Sequence, residues 1–129
     1  MDKFLDIAKR RVRTHNFNPN LVSYHCAMIV RGGKILSVGF NRSGSSKVQH
    51  SKSHKHCSSV HAEVSALLNL QNREDAIGSK IYVVRINKNG QYAISVPCQM
   101  CQVILIEKGL KKAIFTLDNS ENTYGVMKF

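Results

Sequence analysis

The sequence predicts a single α/β domain, and three observations lead there. Segments with apolar residues at helical spacing interleave with short runs of strand character along the whole chain. Turn signals at Gly32-Gly33 and Asn89-Gly90 fall between strand candidates, where hairpins need them. The 129 residues and 14.5 kDa suffice for one hydrophobic core but not for two, so residues 1–129 read as one domain.

The elements follow in order. Phe4, Leu5, Ala8 and Val12, with Phe17 beyond them, recur at helical spacing, so residues 2–15 read as an amphipathic helix with Lys9, Arg10 and Arg13 turned outward. Asn18-Pro19-Asn20 ends it. Tyr24 to Val30 and Lys34 to Phe40 read as two strands joined at the glycine pair. Asn41 to Ser59 is polar and long for a compact domain, which marks it as a functional loop and a candidate pocket wall. A helix then runs from Val60 or His61 to about Asn72, with Val64, Leu67, Leu68 and Leu70 on its buried side.

Ile81 to Ile86 reads as a strand, and Asn89-Gly90 returns the chain through Tyr92, Ala93 and Ile94 to Pro97. Pro97 suits the first position of a helix, where a missing N–H costs nothing; this helix runs to Lys108, and Gly109 stops it as a left-handed cap. Ala113 to Leu117 and Tyr124 to Phe129 complete the set. Only six residues join them, too few for a parallel crossover, so the last two strands should pair antiparallel.

Composition narrows the class further. A hydrophobic content of 43% is ordinary for a globular protein, and the N-terminus has neither the order of a signal peptide nor an apolar run of membrane length. A cytoplasmic protein with no membrane partner is expected. In that setting the four cysteines read as metal ligands and buried thiols, with Cys26 a core thiol on its strand. The net charge is +11 and the pI about 9.8. No Asp or Glu occurs between Ile7 and Ala62, so the first half is the positive half and attracts phosphate, on a nucleotide or on a polymer.

The chemistry is concentrated in His61-Ala62-Glu63 and Pro97-Cys98-Gln99-Met100-Cys101. One imidazole and two thiolates leave a fourth position open on a zinc ion, as a catalytic site requires, whereas four cysteines would close it. Zinc lowers the pKa of its bound water to about 7, and Glu63 is then free to carry the proton. His61 and Glu63, two residues apart, point to different sides of an ideal helix, so they must sit in its first turn and approach the water from different directions. Cys98 and Cys101, three apart, share a face, and the positive end of a helix dipole favours thiolate there. A structural zinc knuckle, a redox dithiol or two core cysteines are the bland alternatives, and none of them accounts for Glu63.

With these motifs in order, the chain resembles the cytidine deaminase-like superfamily from about Tyr24 to Phe129. The resemblance implies a three-layer α/β/α fold with a mixed sheet of about five strands, a Zn2+ cofactor held by His61, Cys98 and Cys101, and Glu63 as the catalytic proton carrier. It implies that backbone groups at Ala62 hold the base carbonyl, that carbonyls near Ser95 and Val96 accept from the exocyclic amine, and that Asn41 meets the sugar. It also implies dimers or tetramers. His-Ala-Glu resembles the deoxycytidylate and tRNA adenosine deaminases, free cytidine deaminases usually having cysteine in place of His61; the hairpin before Pro97 and the short turn before the last strand resemble the free cytidine deaminases instead.

The expected activity is hydrolytic conversion of cytosine to uracil in a small substrate, a cytidine or deoxycytidine nucleoside or its monophosphate, with release of ammonia. Alternatives are a deaminase acting on cytosine or adenine in single-stranded nucleic acid or tRNA, and a non-catalytic zinc protein that binds nucleotide. The absence of Trp and the scatter of nine Phe and Tyr weaken the polymer reading. His50, His54, His56 and Cys57 form a candidate second zinc site, and Lys47, Lys52 and Lys55 candidate phosphate contacts.

Overall fold

The computed structural model describes residues 2–44, 59–120 and 123–129. Helix α1 spans Lys3–Thr14, and strands β1 (Tyr24–Arg31) and β2 (Lys34–Phe40) follow as an antiparallel hairpin. Two short strands, β3 (Arg42–Ser43) and β4 (Ser59–Val60), pair with each other antiparallel. Helix α2 (Ala62–Leu68), a single 3-10 turn (Arg73–Ala76) and β5 (Lys80–Ile86) come next, then β6 (Tyr92–Ala93), α3 (Gln99–Glu107), β7 (Lys112–Thr116) and β8 (Tyr124–Lys128).

The main sheet runs β2-β1-β5-β7-β8, with β6 paired to β5. It is mixed. Only β5 and β7 are parallel, joined through α3; β7 and β8 are antiparallel as their short connection requires. Alternation along each strand splits the core in two. Cys26, Met28, Val30, Tyr82 and Val84 face α1, whereas Ala27, Ile29, Ile81 and Val83 face α2 and α3. The result is the expected three-layer α/β/α arrangement.

Several boundaries differ from the expectation, each for a local reason. Helix α2 stops at Leu68 instead of continuing to Asn72, because Asn72 opens a new turn by accepting from the Glu74 N–H at 3.2 Å. Leu68 is consequently exposed rather than buried. The polar stretch after Asn41 is pinned at both ends by the β3–β4 ladder; the His50, His54, His56 and Cys57 cluster and Lys47, Lys52 and Lys55 lie outside the described residues. Lys9 is not turned outward but is only 8% exposed, its ammonium 5.0 Å from the centre of the Tyr92 ring. Gly109 takes the left-handed conformation, φ 87°, that its capping position calls for. No helix among the described residues is long and apolar enough to cross a membrane.

Candidate metal centre and pocket

Helices α2 and α3 start beside each other on one face of the sheet, and their caps carry the ligand set. His61 is the N-cap of α2, in extended conformation, and Glu63 is its second residue. Cys98 is the N-cap of α3 and Cys101 its third residue. Pro97 therefore precedes the cap instead of opening the helix, because Cys98 itself is extended (φ -65°, ψ 165°). Cap and third residue face one another across the first turn, which brings the two sulfurs together.

His61 Nδ1 lies 3.6 Å from Cys98 Sγ and 3.4 Å from Cys101 Sγ. All three ligand atoms lie within 4.8 Å of one another. A tetrahedral ion with Zn–S of about 2.3 Å and Zn–N of about 2.0 Å separates nitrogen from sulfur by about 3.5 Å, so the spacing fits zinc. The protonation pattern agrees with a ligand set. Hydrogen bonding from the Cys101 thiol, with His61 adding to it, holds the Cys98 thiol at about 4 against the opposing effect of burial. Cys101 is shifted upward by the proton it shares with Cys98 and by burial. Hydrogen bonding to Cys98 raises the His61 ring.

Glu63 is 6% exposed, and burial pushes its carboxyl upward, opposed by its own backbone N–H and by the positive charge of His61. No lysine or arginine is among the groups that set it.

His61, Glu63 and Cys98 line a cavity of about 440 Å³, large enough for a nucleoside. Asn41, Ala62, Ser95 and Val96 all line it, together with Ser23 and His25, which the sequence did not single out as site residues. Asn41 is a brace as well as a lining residue. Its Oδ1 accepts from the His25 backbone N–H at 2.8 Å and its Nδ2 donates to the Ser23 carbonyl at 2.9 Å. Ser95 turns its hydroxyl away from the cavity, donating to the Val83 carbonyl at 2.6 Å while accepting from the Thr116 N–H at 2.9 Å. What that segment offers the cavity is therefore backbone. His25 contacts the Ser23 hydroxyl through Nε2 at 3.0 Å, and burial, with the neighbouring Arg85 and His61, lowers its ring to about 4, so it is neutral at physiological pH. Its place opposite Asn41 follows from the hairpin register, which residue order alone does not give.

The family described as "Cytidine and deoxycytidylate deaminase zinc-binding region" matches residues 1–117, nearly the whole chain. The chain belongs to this family. Zinc is accordingly its cofactor, and the three ligand atoms described above are the group of the described residues that fits it. A search of curated proteins finds no match.

Solved structures share the fold at low identity. Cytidine deaminase from Burkholderia pseudomallei is 21% identical with a TM-score of 0.62, covering 99% of this family member and 92% of its own chain. The dCMP deaminase from the cyanophage S-TIM5, solved with dCMP and dUMP, is 18% identical with a TM-score of 0.56, over 88% of this chain and 77% of that one. Cytidine deaminase from Mycobacterium leprae is 18% identical with a TM-score of 0.54, over 96% and 88%.

Proposed function

We propose that this protein is a hydrolytic deaminase that converts cytosine to uracil in a small pyrimidine nucleoside or its monophosphate, working in the cytoplasm as a homo-oligomer. The observation that carries the reading is the buried Glu63 carboxyl beside an imidazole and two sulfurs at zinc-ligand spacing, at a nucleoside-sized cavity. His61 Nδ1, Cys98 Sγ and Cys101 Sγ would hold the metal. When bound, the zinc supplies Lewis acidity that brings the pKa of a coordinated water to about 7.

The chain's own residues supply the rest. Glu63 takes one proton from the attacking water and delivers it to the ring nitrogen N3; as the C4–N bond breaks it moves that water's remaining proton, now on the C4 hydroxyl, to the departing amine, so water and cytosine yield uracil and ammonia. Burial suits the carboxyl to both directions of transfer. Ala62, at the start of α2, lines the cavity with Ser95 and Val96; its backbone N–H would donate to the base carbonyl, and the carbonyls of Ser95 and Val96 would accept from the exocyclic amine. Asn41 holds the Ser23–His25 wall rigid and presents its remaining amide hydrogen to the sugar. That the solved structures sharing the fold include a cytidine deaminase and a dCMP deaminase bound to dCMP and dUMP lends support to a small pyrimidine substrate.

Ammonia release from cytidine, deoxycytidine and their monophosphates, measured beside a cytosine-containing single-stranded oligonucleotide, tests the reading. Turnover of one of the small substrates is expected. Activity confined to the oligonucleotide, or none anywhere with zinc bound, would overturn it.

A further inference from the structure

The register of the sheet brings three lysines into a row that the active site does not use. Lys80 on β5 pairs with Lys112 on β7, and Lys112 pairs with Lys128 on β8. Strand neighbours are about 5 Å apart, so three like charges stand side by side across the sheet, an arrangement that is unfavourable by itself. None of the three forms an ion pair among the described residues. Asp2, the N-cap of α1, accepts from the Tyr82 hydroxyl at 2.8 Å and from the Phe4 N–H at 2.9 Å.

Alternation fixes which face the row occupies. Lys80, Lys112 and Lys128 share parity with Tyr82, Ile114 and Val126, the α1 side, opposite the zinc helices. Helix α1 packs over β1 and β5 and leaves the outer strand open: Tyr124 is 40% exposed and Val126 49% exposed, both on this same face. The row crosses β5 at its first residue, and the pocket lies near its far end, where Arg85 pairs with His25; Lys80 and Arg85 are five residues apart along the strand, about 17 Å.

At the open edge of this face stand three lysines with no ion pair among the described residues, Lys80 and Lys112 half-buried and Lys128 exposed, with the exposed Tyr124 ring four residues from Lys128 along β8, about 13 Å away; on a chain of net charge +11 this is the chemistry that takes phosphates in a row with a base stacked farther along the strand. We propose that the β5–β7–β8 face binds single-stranded nucleic acid, with Lys80, Lys112 and Lys128 on successive phosphates and Tyr124 as a stacking platform. This surface is separate from the pocket and does not depend on the deaminase reading.

The test is fluorescence anisotropy with a labelled oligothymidylate, which contains no cytosine, at increasing salt. Three phosphate contacts predict a log–log salt slope of about -2, hence roughly 20-fold weaker binding at 200 mM than at 50 mM salt. Each single Lys→Gln change should lower the slope by about 0.7, the triple variant K80Q/K112Q/K128Q should lose most of it while keeping its zinc, and Tyr124→Ala should weaken binding at least about fivefold. Unchanged binding in the zinc-replete triple variant overturns the proposal. So does an equal loss on substituting Arg10 and Arg13 alone, binding to duplex as tight as to single strands and independent of Tyr124, or a preference for vesicles of anionic lipid over the oligonucleotide.

Discussion

Replacing Gly39 with alanine should separate metal binding from mere folding. Gly39 lies on β2 where α2 crosses it, and a Cβ there would meet the Ala66 backbone nitrogen inside any allowed contact, the Ala62 carbonyl oxygen at 2.6 Å and Ala66 Cα at 2.7 Å. These are main-chain atoms and cannot rotate away. Ordinary contact needs about 3.4 Å or more, so α2 must lift by roughly 1 Å, against the Ser37 hydroxyl bonded to the Ala66 carbonyl at 2.8 Å and the Asn69 amide bonded to the Val38 carbonyl at 2.9 Å. Overpacking of this kind costs about 1–3 kcal/mol, a fall in Tm of roughly 5–10 °C for a chain of this size. The larger effect is on the site, because α2 carries His61 while the sulfurs ride on α3, and a ligand set tolerates only about 0.2 Å. Zinc per chain, measured by elemental analysis after dialysis, should fall well below one. Gly33→Ala is the control: it has a strained φ of 74° but open space at the Cβ, so it should lose about 1 kcal/mol and keep its metal. A Gly39→Ala protein with stoichiometric zinc and near-native Tm would refute the reasoning.

Other perturbations probe the remaining parts. Glu63→Gln should retain zinc and lose turnover by about a thousandfold or more, since it removes the proposed proton carrier and not a proposed ligand; metal loss would contradict the assignment. Cys101→Ala should release zinc and make the Tm of the variant insensitive to chelator, whereas the parent protein should melt lower when chelator is added. His25 is held neutral in the folded state, so below its unfolded value of about 6.5 the unfolded chain takes up a proton that the fold refuses, and stability falls as pH drops from 6.5 towards 4. Denaturation in excess zinc should show His25→Gln losing about 2 kcal/mol less than the parent between pH 7 and 5, and equal losses would count against the burial of that ring. Ser95→Ala should cost about 1–3 kcal/mol by leaving the Val83 carbonyl and Thr116 N–H without their partner, readable in urea unfolding.

The zinc-binding motif, the β1–β2 hairpin, the Gly109 cap and the antiparallel close of the sheet were legible in residue order, because each rests on chemistry or backbone preference within a few residues. The way residues distant in sequence meet was not. A bulge between Ile29 and Val30 shifts the hairpin by one position, so Asn41 faces His25 instead of Tyr24, and no turn signal at Gly32-Gly33 encodes it. Likewise Gly39 looks like any strand glycine until α2 is laid upon it, and Lys80, Lys112 and Lys128 form a row only through the register in which β5, β7 and β8 pair. Short-range rules set what each segment becomes, whereas side-chain neighbours across the sheet depend on register, a property of the assembled fold.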